Sequence, residues 1–112
     1  MRFEWDTNKN RENLLKHDVR FETAGLAFDD PYALTQRDDS SGEEERWITL
    51  GAIGPGAVLL VVHTCRHAER DEAIRIISAR AAAAHEKRKY EEANKTAKAR
   101  RRRHRDKERR RH

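Results

Sequence analysis

Three arginines and one histidine interrupt stretches of this sequence that are otherwise apolar. They are His63, Arg66, Arg75 and Arg80, and Lys16 near the end of the first predicted helix adds a further cation. A histidine titrates near neutral pH and can transfer protons, while guanidinium groups stabilise negative charge on phosphate. Metal-free cleavage of RNA needs both, because the 2′-hydroxyl loses a proton and the leaving 5′-oxygen gains one. These residue types therefore permit a nuclease without requiring one.

Strand alternation assigns these residues to the two faces of a sheet. His63 falls on one face of its strand and Arg66 on the other, because successive side chains alternate. By the same rule Arg75 and Arg80 fall on opposite faces, unless a β-bulge re-aims one of them. Taken singly, each arginine is better explained by an ion pair or by snorkelling at a sheet edge. A hydrogen bond at a strand end likewise explains His63 when it is taken alone. Only the histidine and the arginines together favour a catalytic site.

The sequence lacks the motifs of the common cofactor and metal sites. It contains no glycine-rich phosphate loop, no GxSxG, no HExxH and no CxxC. Its six histidines are scattered, and its single cysteine, Cys65, excludes an internal disulfide and an all-cysteine zinc site. We therefore predict neither a cofactor nor a metal site.

Two helices, a sheet and a third helix are predicted to position these residues. A first helix covers Thr7–His17, and a second, short helix ends before Pro31. The strand candidates are Ala33–Arg37, Arg46–Ile53, Ala57–Thr64 and Ala73–Ala79, with a hairpin at Gly54-Pro55-Gly56 and a polar connector at Arg66–Glu72. High helix propensity predicts a last helix that ends near Asn94. The short connections favour an α+β fold with a three- to four-stranded antiparallel sheet.

Positive charge is concentrated at the C-terminal end. The 112 residues include 25 lysines and arginines and 20 acids, a net charge of +5, of which residues 98–112 contribute +8 and the remainder −3. We therefore divide the chain into a domain at residues 1–94 and a basic tail, helical or disordered, at residues 95–112. The tail arginines expected to contact RNA are Arg100, Arg101, Arg102, Arg103 and Arg105. A solubilising extension is the alternative, because the tail has no aromatic residue for base stacking.

The hydropathy pattern predicts neither a membrane span nor an export signal. The longest apolar run, Ala57–Val62, is far shorter than the roughly 20 residues that a membrane helix needs. The first residues lack the basic and apolar regions of a signal peptide. A cytoplasmic protein with no membrane partner is the expectation.

A resemblance to a known family extends over about residues 3–92. The matched positions near the start are Phe3-Glu4-Trp5-Asp6, Lys9, Asn13, Lys16-His17, Val19, Phe21 and Phe28-Asp29-Asp30-Pro31. In the middle they are Glu44, Arg46-Trp47, Leu50-Gly51, Val61-Val62-His63-Thr64 and Arg66. Towards the end they are Arg75-Ile76-Ile77-Ser78-Ala79-Arg80, Ala82, Glu86 and Tyr90-Glu91-Glu92. On these residues the chain resembles the BrnT toxins, ribonucleases with a RelE-like fold from bacterial type II toxin–antitoxin systems.

The resemblance implies an activity and partners. Such toxins inhibit growth by cleaving RNA and stopping translation. A cognate antitoxin of the BrnA type, with a ribbon-helix-helix DNA-binding domain, neutralises them. The implied complex has two toxins and two antitoxins and binds operator DNA through the antitoxin.

The resemblance also implies which residues form the active site. Carried over by position, they are Lys16, His63, Arg66, Arg75 and Arg80, with Glu44 and Tyr90 as possible support. Proton transfer is expected of His63 or Lys16, and charge stabilisation of the arginines. The alternative hypothesis is a catalytically weakened relative that binds antitoxin, RNA or ribosome. It is motivated by Cys65, which stands where many relatives have a glutamate, and by a longer connector before Arg75.

Overall fold

Five strands form one mixed sheet in the computed structural model, which describes residues 1–39, 42, 45–68 and 71–95. In chain order they are β1 (Arg2–Glu4), β2 (Leu34–Asp38), β3 (Arg46–Gly54), β4 (Ala57–Ala68) and β5 (Asp71–Ala81). The spatial order is β1-β5-β4-β3-β2. β1 runs parallel to β5, and the other neighbouring strands are antiparallel.

Helices cover both faces of this sheet. Helix α1 (Thr7–His17) begins at Asp6, whose carboxylate accepts hydrogen bonds from the backbone N–H groups of Asn8 and Lys9. Helix α2 (Phe21–Ala24) continues directly into a 3-10 helix at Gly25–Asp29. Helix α3 occupies residues 84–95. We call the sheet face against α1, α2 and the 3-10 helix the α1 face, and the opposite face the α3 face.

Each face carries its own apolar cluster. On the α1 face, buried side chains of β4 and β5 pack against α2 and the residues around it; they are Val19, Phe21, Ala24, Ala27, Leu59, Val61, Ile74, Ile76 and Ala79. On the α3 face the cluster is smaller and contains Leu50, Val58, Leu60 and Tyr90 of α3. The sheet is therefore the middle layer of a three-layer structure, with side chains of alternate residues belonging to opposite layers.

The predicted α+β class is confirmed, but the predicted sheet was wrong in strand number and direction. Strand β1 was missed because three residues before a helix carry no strand periodicity, and only β5 makes Arg2–Glu4 a strand. The connector predicted at Arg66–Glu72 was also wrong, since β4 extends to Ala68 and β5 begins at Asp71. Backbone pairing between β4 and β5 continues through these residues, although their side chains show no apolar alternation.

Helix α1 is fastened to the sheet by one buried amide. Strand β1 pairs with β5 only at residues 73–75. Further along β5, the side chain of Asn13 takes the place of a neighbouring strand: its Nδ2 donates to the carbonyl of Ala79 at 2.7 Å, and its Oδ1 accepts from the Ala79 N–H at 3.1 Å. The same Nδ2 donates to the carbonyl of Val19 at 2.9 Å.

Replacing Asn13 with alanine is expected to lower the free energy of unfolding by about 2 kcal/mol, because buried backbone groups lose their partners. Urea unfolding followed by circular dichroism measures the change. The matched control is Asn8→Ala, which removes an exposed side chain from the first turn of the same helix. An equal loss of stability in both variants would show that the buried amide has no special importance.

Candidate active site

A β-bulge in β5 brings the predicted arginines to one face of the sheet. Val62 pairs with Ser78, whereas the next residue, His63, pairs with Ile76, so β5 contains one extra residue at this point. On either side of the bulge, Thr64 pairs with Arg75 and Leu60 with Arg80. Both partners in β4 lie on the α3 face, and so do the two arginines opposite them.

The regular alternation that placed Arg75 and Arg80 on opposite faces was therefore wrong, because the bulge shifts the phase of β5 between them. Arg66 also lies on the α3 face, three residues beyond His63. Arg66, Arg75 and Arg80 thus form a row on the α3 face, which we call the arginine row.

Two members of the arginine row are exposed to solvent. The Nη2 of Arg66 donates to Glu4 Oε2 at 2.8 Å, and Glu4 also pairs with Arg2 at 3.2 Å. The side chain of Arg66 is nevertheless 72% exposed. Among the described residues, no carboxylate lies within ion-pair distance of Arg75, which is exposed as well. The open half of the row can thus receive an anion from solution.

The third member, Arg80, is held by the start of α3. Its guanidinium donates from Nη1 and Nη2 to the two carboxylate oxygens of Glu86, at 2.7 and 3.0 Å. Glu86 Oε1 also accepts from the backbone N–H of Ala83 at 2.8 Å, which caps the helix. The hydrogen bond to Glu86 raises the pKa of Arg80 and lowers that of Glu86. The pair therefore joins the end of β5 to α3 and fixes the position of Arg80.

His63 is buried on the other face of the sheet. Its side chain packs edge-on against Phe28, with ring centroids 4.9 Å apart. Nε2 shares a 2.8 Å hydrogen bond with Thr49 Oγ1, which in turn lies 2.8 Å from Thr35 Oγ1. Burial lowers the pKa of His63 from 6.5 to about 4, although the backbone at Thr64 offsets part of the shift. His63 is therefore neutral at physiological pH and separated from the arginine row by the sheet itself.

The buried His63 is expected to make the protein sensitive to mild acid. Between pH 6.5 and about 4 the unfolded chain binds a proton that the folded protein excludes, so stability falls as the pH falls. From pH 7 to pH 5 this amounts to about 2 kcal/mol. Urea unfolding at both pH values should show the loss in the wild type and its reduction in His63→Gln. The control, His17→Gln, removes an exposed histidine and should show the same fall in stability between the two pH values as the wild type. If His63→Gln shows that full fall as well, His63 is not the group responsible.

Of the remaining predicted site residues, Lys16 is not brought to the arginine row. Lys16 is exposed on α1, which packs on the opposite face of the sheet. Glu44 and the tail residues Arg100, Arg101, Arg102, Arg103 and Arg105 lie outside the described residues.

Tyr90 lies on the α3 face, but its hydroxyl is used within the fold. It donates to Asp30 Oδ2, which also accepts from the backbone N–H of Ala52 at 2.8 Å, while Asp30 Oδ1 accepts from Tyr32 N–H at 3.0 Å. Burial raises the pKa of Tyr90, and the hydrogen bond to Asp30 adds to this. For Asp30, burial acts to raise the pKa, but its three hydrogen bonds outweigh burial and the pKa is lowered. Tyr90 therefore fastens α3 to the sheet and to the segment before β2.

A cavity of about 490 Å³ beside His63 was not predicted from the sequence. The described residues that line it are Thr35, Glu45, Trp47, His63 and Cys65. Trp47 pairs directly with His63 across β3 and β4. The two-residue turn at Pro55 and Gly56 could not have predicted this neighbour, because the register shifts between Ala52 and Gly54. Without that shift the turn would place Trp47 opposite Thr64, on the other face of the sheet.

In the described part of the chain, no cluster of three or more histidine, cysteine, aspartate or glutamate side chains has the geometry to hold a metal ion. Nor does any helix there have the length and apolar character needed to cross a membrane.

The chain is similar to a known family and to a solved structure. Residues 5–86 match the family described as the ribonuclease toxin BrnT of type II toxin–antitoxin systems. The crystal structure of the Brucella abortus ribonuclease toxin BrnT superposes with a TM-score of 0.54 at 20% sequence identity, over 74% of this chain and 97% of that one. No protein with a curated description matches the sequence.

The family match defines the class of protein: a toxin component of a type II toxin–antitoxin system. The chain belongs to the BrnT family, because the matched segment covers most of its length. The resemblance inferred from the sequence is thereby confirmed, and the structural match supports the same fold. Membership in a type II system implies a protein antitoxin as partner and RNA as target.

Proposed function

We propose that this protein is an endoribonuclease that arrests growth by cleaving RNA. The observation that carries the proposal is the arginine row, which the bulge in β5 collects on one face of the sheet. Arg66 lies opposite Ala73 and Arg75 two residues further on, so the two side chains start about 7–8 Å apart. Two exposed guanidinium groups at this spacing can contact two successive phosphates of one RNA strand. The description of the family as ribonuclease toxins supports the same activity.

The proposed chemistry needs no bound metal. RNA supplies its own nucleophile, the 2′-hydroxyl, which attacks the phosphorus to form a 2′,3′-cyclic phosphate as the bond to the 5′-oxygen breaks. Because His63 and Lys16 lie on the other side of the sheet, water takes the proton of the 2′-hydroxyl and supplies one to the leaving 5′-oxygen. Guanidinium donors stabilise the additional negative charge of the pentavalent phosphate. In this proposal Arg66 and Arg75 contact the phosphate, and Arg80 completes the row from its position beside Glu86. We expect purified full-length protein to cleave RNA in the presence of EDTA. Complete loss of cleavage on adding EDTA would contradict the metal-free mechanism.

Growth of a bacterial culture after induced expression tests the function as a whole. The wild type is expected to arrest growth, and Arg80→Ala to relieve the arrest at an equal level of soluble protein. Glu86→Gln is the matched variant, because it disrupts the same ion pair but keeps the guanidinium. If Glu86→Gln and Arg80→Ala relieve arrest equally, Arg80 acts through the fold rather than through RNA.

The basic tail is proposed to assist RNA binding without performing cleavage. Truncation after Asn94 removes it while leaving nearly all of the described helix α3. We expect the truncated protein to cleave RNA still, with weaker binding at low salt. If cleavage and binding both disappear with the tail, the protein acts as a tail-dependent RNA-binding protein instead.

The proposed antitoxin is of the BrnA type, with a ribbon-helix-helix domain, in a complex of two toxins and two antitoxins that binds operator DNA. Family membership supports this partner. Co-expression with the antitoxin encoded beside the toxin gene should restore growth.

The alternative function is that of a catalytically weakened relative that serves as a binding module. Cys65 favours it, because this residue lines the cavity and stands where many relatives have a glutamate. Normal growth on expression of soluble wild type that still binds antitoxin would establish it.

A further inference from the structure

The cavity beside His63 is built from groups that recognise a nucleobase rather than a phosphate. It joins one large aromatic side chain, Trp47, to a carboxylate, Glu45, and a hydroxyl, Thr35. Its volume of about 490 Å³ falls within the usual range of small-molecule sites, about 300–1,000 Å³. Unpaired RNA bases are held by stacking on aromatic side chains and by hydrogen bonds to their edges. A carboxylate repels phosphate but accepts hydrogen bonds from the N–H groups of a base.

The wall of the cavity is rigid. His63 is only 4% exposed and Thr49 only 1% exposed, and their hydrogen bond continues to Thr35 at the cavity. Phe28 supports the imidazole from the side of the core. Among the described residues, no hydrogen-bond partner of ordinary geometry is found for His63 Nδ1. A fixed polar wall of this kind selects a ligand by shape and by the position of its donors.

Strand β4 connects the cavity to the arginine row. Cys65 lines the cavity on the α1 face, and the next residue, Arg66, lies on the α3 face. Beyond His63, the described pairing of β4 continues with β5 but not with β3, whose first residue is Arg46. At this end of β4, adjacent residues thus belong to the cavity and to the arginine row, on opposite faces of one strand.

We propose that this cavity, formed by Glu45, Trp47, Thr35 and His63, is a subsite for one unpaired base of the RNA whose backbone lies on the arginine row. The inference rests on the proposed ribonuclease function. The base stacks on Trp47 and donates to Glu45, and guanine fits best because its adjacent N1–H and N2–H groups match the two oxygens of a carboxylate. The subsite thus gives the enzyme a base preference that the arginines, which contact only phosphate, do not supply.

Tryptophan fluorescence tests the subsite without any cleavage. The chain has two tryptophans, so Trp5→Phe leaves Trp47 as the single reporter. Trp5 packs edge-on against Phe21 in the core, where phenylalanine is a suitable replacement. We expect saturable quenching by guanosine monophosphate, at least several-fold weaker binding of uridine monophosphate, and no quenching by ribose 5-phosphate. Equal responses to all three probes would overturn the proposal, since phosphate alone would then account for binding.

A second experiment adds Glu45→Gln to the Trp5→Phe variant. We expect this substitution to remove most of the several-fold preference for guanosine over uridine monophosphate, because the amide offers one acceptor in place of two. The matched control is Glu12→Gln, an exposed glutamate of α1 that should leave the preference unchanged. If Glu45→Gln also leaves it unchanged, the carboxylate does not read the base.

Mapping of cleavage ends separates this inference from the proposed function. A wild type that cleaves RNA with no base preference near the cut overturns the subsite and leaves the ribonuclease intact. Selective quenching by guanosine monophosphate in a protein that never cleaves RNA overturns the ribonuclease and supports the subsite. If antitoxin alone quenches Trp47 and no nucleotide does, the cavity is a protein-docking site and the proposal fails.

Discussion

Replacement of Arg75 by alanine is expected to slow RNA cleavage by about 10²- to 10³-fold while leaving the fold intact. This is the usual loss when one donor to a developing negative charge is removed. Arg75 is exposed, and no ion pair with another described residue involves it, so its removal breaks none of the contacts that fasten β5. Single-turnover cleavage of a short RNA measures the effect on the chemical step.

Two further variants make the Arg75 result interpretable. Arg11→Ala removes an exposed arginine of α1, on the opposite side of the sheet, and should change cleavage by less than about threefold. Arg75→Lys keeps the charge but not the forked geometry, so an intermediate rate is expected. Wild-type cleavage by Arg75→Ala would remove this residue from the mechanism. An equal loss in Arg11→Ala would show that net charge alone is responsible.

Replacement of Gly51 by alanine is expected to destabilise the protein by about 3 kcal/mol or more, the upper range for overpacking a core. The reason is the approach of the 3-10 helix to β3: a Cβ atom on Gly51 would lie 2.3 Å from the backbone oxygen of Ala27 and 2.9 Å from its Cβ. Ala27 is fully buried and cannot swing aside as a flexible side chain could. Thermal or urea unfolding of the purified variant measures the loss.

The matched control for Gly51→Ala is Gly54→Ala, at the end of the same strand. A Cβ atom there meets no atom of the described residues within 4 Å, and the backbone is not in the left-handed region. We expect a change in the free energy of unfolding below about 1 kcal/mol. If the two variants are equally stable, the 3-10 helix moves away from β3 at little cost and the predicted clash is relieved.

Local signals in the sequence were sufficient for the helices. The predicted bounds of α1 agree with the structure because Asp6 caps the helix through its own side chain. The second helix ends before Pro31 as expected, although its last residues, Gly25–Asp29, form a 3-10 helix. The bounds of β3 are also close to those predicted, since β-branched and aromatic residues coincide with the Gly54-Pro55-Gly56 turn.

The geometry of the candidate site depended on contacts that the sequence does not display. A bulge adds one residue to β5 without a glycine or any other marker, so regular alternation placed Arg75 and Arg80 on opposite faces, and the sequence could name a bulge only as the exception. The faces of His63 and Arg66 were predicted correctly, because β4 is regular there.

The roles of Tyr90 and Arg80 likewise needed tertiary structure. Their partners, Asp30 and Glu86, are separated from them by 60 and 6 residues. A residue that matches a family pattern can thus stabilise the fold instead of acting in catalysis. The two roles are distinguished only when its hydrogen-bond partner is known.

The amide of Asn13 has a consequence for self-association. A sheet edge with free backbone groups is a template on which a second chain can add a strand. By occupying both backbone groups of Ala79, Asn13 withdraws that part of β5 from such pairing. Loss of this side chain would therefore leave unpaired backbone groups on β5 as well as weaken the fold. A variant without it, once released from its antitoxin, would aggregate through that edge rather than simply unfold.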